Sequence, residues 1–243
     1  PVAVTGASGY IGSRIVEDLL QQGYEVHACV RDASNEQKVN HLLELGKSSA
    51  NCNVKLFEGD LFKKGSYDKA FINCSAVIHA GATVGFNRET PQEVYDGCFT
   101  ENEHVVESVI KSDSIKRLVF TSSFAAVAHP RPEGYVFDEK DWCGDNVEAY
   151  KGAWSTDNIS KNRDIAYAMA KANTEKYIYE IAEKDGNFEA ISINPLHVIG
   201  PLLTENHNQF FSWQYFILQL LKGVNFGSYN GQQVRSDRML WNM

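Results

Sequence analysis

The stretch TGASGYIG, which begins at Thr5, constrains the fold more than any other part of the chain. Its three glycines, Gly6, Gly9 and Gly12, lie between a short apolar run, VAVT, and a segment with apolar residues at helical spacing. Glycine suits a tight strand-to-helix turn, and the free N–H groups at the start of a helix bind anions. This context predicts a strand–loop–helix unit that binds the pyrophosphate of a dinucleotide.

Apolar runs and helical patterns alternate through most of the chain. Predicted strands cover 2–5, 24–30, 53–59, 75–81, 116–123 and the run FEAISI before Asn194. Predicted helices cover 10–23, 35–45, 67–72, 93–112 and 164–185. Such alternation favours right-handed crossovers, so we expect an α/β fold with a doubly wound parallel sheet. Ligands of these sheets bind beyond the carboxyl ends of the strands.

Charge and cysteine content exclude several classes of protein. The formal net charge is −8, which argues against a general nucleic-acid surface. Five cysteines are scattered without C-x-x-C spacing, so we expect reduced thiols in a cytoplasmic protein and no zinc or other metal site. No apolar run has membrane-spanning length, and we expect no membrane partner. Because the chain opens inside a strand, a lost targeting segment is left open.

The end of the second predicted strand carries the residues that distinguish NADP from NAD. An acidic residue there binds the ribose hydroxyls of NAD, whereas an arginine accommodates the 2′-phosphate of NADP. The sequence offers Arg31, with Lys38 on the following helix as a second positive charge. We therefore expect NADPH or NADP+ as cofactor. The alternative is a loop arginine paired with Asp32.

Tyr167 and Lys171 stand four residues apart in a predicted helix, so both project from one face. Among the 11 tyrosines, only Tyr167 has a lysine four residues on. A nearby ammonium favours loss of a phenol proton, and Ser123, at the strand end TSS, would donate a hydrogen bond to a carbonyl oxygen. The alternative for Lys171 is a solvated helix face. Glu175 and Lys176 are expected to be solvated.

Together, these motifs resemble those of the extended short-chain dehydrogenase/reductases. The resemblance rests on TGASGYIGSRIVEDLLQQGYEVHACVRD, EGDL, KRLVFTSS, YAMAK and INPLHVIGP, and it runs from Val2 to about the end of the chain. The branch it points to contains the dihydroflavonol 4-reductases, cinnamoyl-CoA reductases and yeast-type aldehyde/ketone reductases. It implies a catalytic triad of Ser123, Tyr167 and Lys171, with Tyr167 as the proton donor.

The resemblance also implies a set of cofactor-binding residues in the glycine loop and at the strand ends. They are Gly6, Ser8, Gly9, Tyr10, Ile11, Gly12, Arg31, Lys38, Asp60, Leu61, Ala80, Gly81, Ala82, Tyr167, Lys171, Pro195 and Val198. Asp60 and Leu61 would contact the adenine, and Pro195 would form a wall beside the nicotinamide. Members of this branch continue past the last residue of this chain.

Three side chains are candidates for the substrate pocket, namely Phe86, Trp154 and His197. The aromatic segment NQFFSWQYF, at 208–216, would form an apolar wall together with Phe86 and Trp154, which suits a partly apolar or aromatic molecule. The alternative is ordinary packing, as it is for His79, which is expected to pack beside the cleft. The predicted domains are a nucleotide-binding Rossmann domain at 1–194, with an insert at 128–163 that contributes to the cleft, and a partial, smaller substrate-binding lobe at 195–243.

The sequence thus predicts an NADPH-dependent carbonyl reductase that acts on a small-molecule aldehyde or ketone as a monomer or homodimer. Two alternatives stay open. One is an NAD-dependent nucleotide-sugar epimerase/dehydratase or a hydroxysteroid dehydrogenase of the same superfamily. The other is a regulatory protein that senses NADPH without turnover.

Overall fold

The computed structural model describes residues 1–48, 53–82, 89–128, 133–144, 156–208, 213–222, 228–229 and 232–233. The chain divides into two compact units, Pro1–Leu196 and His197–Met243. The division falls two residues after the domain boundary predicted from the sequence.

A six-stranded parallel sheet forms the first unit, in the order β3-β2-β1-β4-β5-β6. The strands are β1 Val2–Thr5, β2 Val26–Val30, β3 Val54–Glu58, β4 Ala76–His79, β5 Arg117–Thr121 and β6 Glu189–Ile193. This arrangement confirms the predicted doubly wound α/β fold. The strand order reverses at β1, where Thr5 is in register with Cys29 of β2 and with His79 of β4. Such a switch point is where ligands of these sheets bind.

The helices of the first unit are α1 Tyr10–Gln21, α2 Glu36–Ser48, α3 Asp68–Phe71, α4 Pro91–Ile110 and α5 Arg163–Asp185. They cover the sheet on both faces, because successive residues of a strand point to opposite sides. Val4 of β1 packs in one cluster with Val16 of α1 and Leu42 of α2. Its neighbour Ala3 belongs to the opposite cluster, with Val105 of α4 and Ile178 of α5.

The two longest helices begin at side-chain caps. Thr90 caps α4 in a reciprocal pair with Glu93, and Pro91 occupies the first turn. A cap of this kind satisfies backbone N–H groups that have no partner within the helix, which is why α4 begins two residues before the predicted start. Asn162 caps α5, and Gly186, with φ of +69°, ends it.

The second unit contains fewer described elements. These are a short 3₁₀ helix at Glu205–His207, α6 Trp213–Leu221, and an antiparallel pair of two-residue strands, β7 Ser228–Tyr229 and β8 Gln232–Gln233. Within the part of the chain that the structure describes, no helix is both long enough and apolar enough to cross a membrane.

Candidate functional site

The glycine loop closes tightly on itself at the end of β1. Gly6 has a φ of +63°, a conformation that favours glycine, and its carbonyl oxygen accepts a hydrogen bond from the N–H of Gly9 at 2.9 Å. A Cβ on Gly12 would lie 2.2 Å from that same oxygen. Only glycine therefore fits at the start of α1, and the backbone there stays accessible to an anion.

A second close approach joins the end of β1 to the end of β4. A Cβ on Gly6 would lie 2.6 Å from the Cα of Gly81, and the N–H of Gly81 donates to the Thr5 hydroxyl at 3.2 Å. Ala80 is half-buried and Ala82 is exposed. The predicted cofactor segments 6–12 and 80–82 are thus neighbours at the switch point of the sheet.

His79 links the end of β1 to α4 through a buried chain of hydrogen bonds. Its Nδ1 is bonded to the Thr5 hydroxyl, and its Nε2 lies 2.9 Å from Oδ1 of Asn102 on α4. The Asn102 amide in turn donates to the carbonyl of Cys98. Burial, together with the positive charge of Lys171, lowers the pKa of His79 to about 3. His79 is therefore neutral and structural, as expected, whereas no role was predicted for Asn102 from the sequence.

Arg31 and Lys38 are both exposed at the predicted phosphate-reading position. The carboxylate of Asp32 is hydrogen-bonded to Ser34 instead. The hydroxyl and the backbone N–H of Ser34 both donate to Oδ1 of Asp32, and these bonds lower the pKa of Asp32. No ion pair joins Arg31 to Asp32 in the described structure. The guanidinium is therefore available to a ligand, in contrast to the alternative drawn from the sequence.

Asp60 and Leu61 lie in the turn after β3. The carboxylate of Asp60 accepts a hydrogen bond from the N–H of Phe62 at 3.0 Å. The Leu61 side chain is 9% exposed, and its carbonyl accepts from Nδ1 of His104 at 2.8 Å. These contacts shape the turn itself, and the predicted adenine contact stays a prediction.

Ser123 lies two residues beyond β5, where the chain is tied to the end of β6. Ser122 donates its N–H to the carbonyl of Ile193 at 2.8 Å, and Phe124 donates to the carbonyl of Pro195 at 2.9 Å. The Ser123 hydroxyl accepts from the N–H of Ala125 at 3.2 Å and can donate its own proton elsewhere. The structure therefore brings Ser123 and Pro195 to the same edge of the sheet.

Lys171 is a buried cation. It is only 3% exposed, and its Nζ lies 5.2 Å from the ring centre of Phe120 and 5.8 Å from that of Tyr167. Among the described residues, no acidic side chain forms an ion pair with it. Burying a charge without such a partner is energetically costly. The alternative of a solvated helix face for Lys171 is wrong.

Glu175, one helical turn after Lys171, also departs from the expectation of a solvated position. It is 3% exposed, and its carboxylate accepts hydrogen bonds from Nδ2 of Asn194 at 2.6 Å and from Nε1 of Trp142 at 3.1 Å. The same Asn194 nitrogen donates to the carbonyl of Ser123 at 3.1 Å. The four-residue spacing from Lys171 was the signal available in the sequence.

Four predicted residues cannot be joined to this geometry. Phe86 and Trp154 lie outside the residues that the structure describes. His197 and Val198 open the second unit, so their contact with the cleft stays a prediction; burial lowers the pKa of His197. Across the described ranges, no group of three or more His, Cys, Asp or Glu side chains is arranged to hold a metal ion.

Comparisons with known proteins agree with this geometry. Residues 2–236 match the NAD dependent epimerase/dehydratase family. Dihydroflavonol 4-reductase of Gerbera hybrida is 37% identical over 206 residues, which cover 84% of this chain and 52% of that protein. Cinnamoyl-CoA reductase CAD2 of Medicago truncatula is 34% identical over 250 residues, which cover 98% of this chain and 71% of that protein.

A solved structure of Gre2 from Candida albicans, in complex with NADPH, shares the fold with a TM-score of 0.76 at 24% identity, covering 94% of this chain and 67% of that one. The chain spans about half the length of the dihydroflavonol reductases that it matches. The family match extends over nearly all of the chain, and the glycine loop lies beside Gly81 at the end of β4 in the structure. The chain therefore belongs to the NAD dependent epimerase/dehydratase family, within the extended short-chain dehydrogenase/reductases.

Proposed function

We propose that this protein is an NADPH-dependent carbonyl reductase that acts on an aldehyde or ketone. The observation that carries the proposal is the buried ammonium of Lys171, which has no acidic partner in the described structure and lies beside the Tyr167 ring. It projects from α5 toward Phe120 of β5, and Ser123 follows that strand. A buried cation beside a phenol, with a serine just after the strand that the cation contacts, would supply the groups that protonate a reduced carbonyl oxygen.

The residues present fit a bound dinucleotide. The glycine loop leaves no room for a Cβ at Gly12, and it leads into the N-terminus of α1, where an anion such as a pyrophosphate can bind. Arg31 is exposed and unpaired with Asp32, which suits a 2′-phosphate. Lys171 would donate to ribose hydroxyls. When bound, NADPH supplies the hydride.

Each reacting side chain has a distinct task. Ser123 donates a hydrogen bond to the carbonyl oxygen and stabilises the negative charge that develops there. Tyr167 donates its phenolic proton to the same oxygen. Lys171 favours the phenolate that this transfer leaves behind. His79 is neutral, so it adds no second positive charge near Lys171.

The relatives support a partly aromatic substrate. Dihydroflavonols and cinnamoyl-CoA, which their names contain, are both aromatic carbonyl compounds. We extend this to a small-molecule aldehyde or ketone for the present protein, with no nucleic acid or membrane as partner. Scattered cysteines suit a reducing compartment, so the proposed location is the cytoplasm. The proposed assembly is a monomer or homodimer.

A substrate screen tests the proposal. Aldehydes, diketones, flavanonols and acyl-CoA thioesters are each mixed with the protein and either NADPH or NADH, and cofactor oxidation is followed by absorbance. We expect turnover of at least one class of carbonyl compound, at a higher rate with NADPH than with NADH. If none of the carbonyl compounds supports cofactor oxidation although NADPH binds tightly, the regulatory sensor is favoured instead.

The second candidate is an NAD-dependent epimerase/dehydratase or hydroxysteroid dehydrogenase, which the name of the matched family favours. Arg31, in place of an acid at the end of β2, argues against NAD. Denaturing the purified protein and analysing the released nucleotide separates the two. Stoichiometric NAD in that fraction would replace our proposal with this candidate.

A further inference from the structure

One face of α5 extends beyond the proposed catalytic pair. Tyr167, Lys171, Glu175 and Tyr179 recur every four residues, so they lie in a row along the helix. The first two belong to the proposed reaction. The other two, Glu175 and Tyr179, instead contact the end of β6, and neither belongs to the reacting groups.

The carboxylate of Glu175 joins three separate parts of the first unit. One oxygen accepts from Nδ2 of Asn194, which follows β6, and that nitrogen also donates to the carbonyl of Ser123. The other oxygen accepts from the indole N–H of Trp142, in the segment between Ser123 and Tyr167. The Glu175 side chain thus fixes the direction in which the Asn194 amide points.

Backbone and side-chain hydrogen bonds together hold the segment around Ser123. Ser122 and Phe124 are each bonded to the β6 end through their own N–H groups. The carbonyl of Ser123 completes this set through Asn194. A buried carboxylate needs donors, and an asparagine amide offers its two hydrogens, so Glu175 orients that amide strongly.

We propose that Glu175 is a positioning residue, which acts through Asn194 to hold Ser123 in place for the carbonyl oxygen. The inference rests on the proposed function, since only that function gives the Ser123 hydroxyl a reacting partner. Because the same carboxylate holds Trp142, the placement of the 133–144 segment is coupled to that of Ser123. A small displacement of a group that contacts the reacting atoms is costly for rate.

Two substitutions at one position separate the hydrogen bond from simple packing. Glu175→Leu fills similar space but offers Asn194 no acceptor. Glu175→Gln keeps one acceptor for Asn194 and loses only the bond to Trp142. We expect the leucine variant to lose about 10- to 100-fold in kcat, with the KM for NADPH within about twofold of wild type. The glutamine variant should keep kcat within about threefold.

Tyr179→Phe is the matched control. In the wild-type protein the Tyr179 hydroxyl is hydrogen-bonded to both the N–H and the Oγ of Ser192. This contact joins the same helix to the same strand as that of Glu175, but one helical turn farther along α5. This variant should lower the free energy of unfolding without lowering kcat. Hydrogen exchange of the 122–124 amides, measured by mass spectrometry, should accelerate in Glu175→Leu and not in Tyr179→Phe.

The outcomes are distinct. Unchanged kcat in Glu175→Leu, equal loss in the glutamine and leucine variants, or equal loss in Tyr179→Phe each overturns the positioning role. Exchange needs no substrate, so unchanged exchange at 122–124 in Glu175→Leu overturns it as well. A wild-type protein that reduces no carbonyl, while its leucine variant still shows faster exchange there, overturns the proposed function and keeps the link from Glu175 to Ser123.

Discussion

Lys171 and Tyr167 share one face of α5, with the ammonium nitrogen 5.8 Å from the centre of the phenol ring. The same nitrogen lies 5.2 Å from the Phe120 ring, so the pair is seated against β5, the strand that leads to Ser123. His79, on the adjacent strand, stays neutral because burial and the charge of Lys171 lower its pKa. Of these two neighbouring side chains, Lys171 therefore carries a positive charge and His79 does not.

Replacing Tyr167 by phenylalanine removes the proposed proton donor and little else. General acid catalysis contributes roughly 10²- to 10⁴-fold, so we expect kcat to fall by at least about 100-fold. The Kd for NADPH should change by less than about threefold, because the proton transfer stabilises only the transition state and not the bound cofactor. Cofactor oxidation and NADPH fluorescence titration measure the two quantities.

Tyr177→Phe serves as the control for that experiment. Tyr177 lies on the same helix, and its ring packs 5.4 Å from that of Phe99, away from the Lys171 face. Tyr177→Phe also removes a phenolic hydroxyl from α5, but away from the proposed site, so its kcat should match that of wild type. A Tyr167→Phe protein with wild-type kcat would contradict the proposed mechanism.

The buried His79 predicts an acid-side loss of stability. Its pKa is about 3 in the folded protein, against 6.5 for an ordinary histidine. Between these values the unfolded chain binds a proton that the folded chain does not, so stability falls as the pH drops below about 6.5. From pH 7 to pH 5 this group should lower the free energy of unfolding by about 2 kcal/mol.

Urea unfolding of wild type and His79→Gln at the two pH values isolates that contribution. The variant should be less stable at pH 7, since it breaks the chain from Thr5 to Asn102. It should also lose less stability than wild type between pH 7 and pH 5, because glutamine does not titrate. Parallel pH slopes for the two proteins would mean that His79 is protonated in the folded state.

Local sequence patterns were sufficient for the sheet, the glycine loop and the spacing of Tyr167 and Lys171. In each case the cause lies within a few residues: helical periodicity places Lys171 one turn from Tyr167, and sterics at Gly6 and Gly12 require glycine. The family and the doubly wound fold predicted from these patterns are confirmed.

Contacts between distant segments were not predictable in the same way. Glu175 reads as a solvated helix residue, because its partners Trp142 and Asn194 are 33 and 19 residues away in the chain. Asn102 likewise gains its role only from His79 on another element. Burial of such groups depends on how the helices are placed on the sheet, which local periodicity does not encode.

Arg31→Ala should separate the two cofactors. A hydrogen bond to a charged group is worth about 1.5–3 kcal/mol, and Arg31 is exposed, so we expect the Kd for NADPH to rise by about tenfold. The Kd for NADH should stay within about twofold, since NADH lacks the 2′-phosphate. Lys38→Ala should weaken NADPH binding less, by about threefold.

Lys47→Ala is the control for these two variants, because Lys47 lies at the other end of α2 and pairs with Glu44. Equal weakening of both cofactors would rule out a 2′-phosphate contact.

Gly12→Ala tests whether the closed glycine loop is needed for binding as well as for folding. The new Cβ would lie 2.2 Å from the carbonyl oxygen of Gly6, so the backbone of the loop has to move. Overpacking of this kind costs about 1–3 kcal/mol of stability. The displaced N–H groups should also weaken NADPH binding by at least about tenfold. Urea unfolding and fluorescence titration measure the two effects.

Gly23→Ala is the matched control for steric effects, because it also strains the backbone but far from the loop. Gly23 has a φ of +87° and nothing within 4 Å of a new Cβ, so the change costs about 1–2 kcal/mol through its left-handed conformation alone. Stability should fall in both variants, whereas NADPH affinity should fall only in Gly12→Ala. Wild-type affinity in a folded Gly12→Ala protein would mean that the pyrophosphate does not bind at the start of α1.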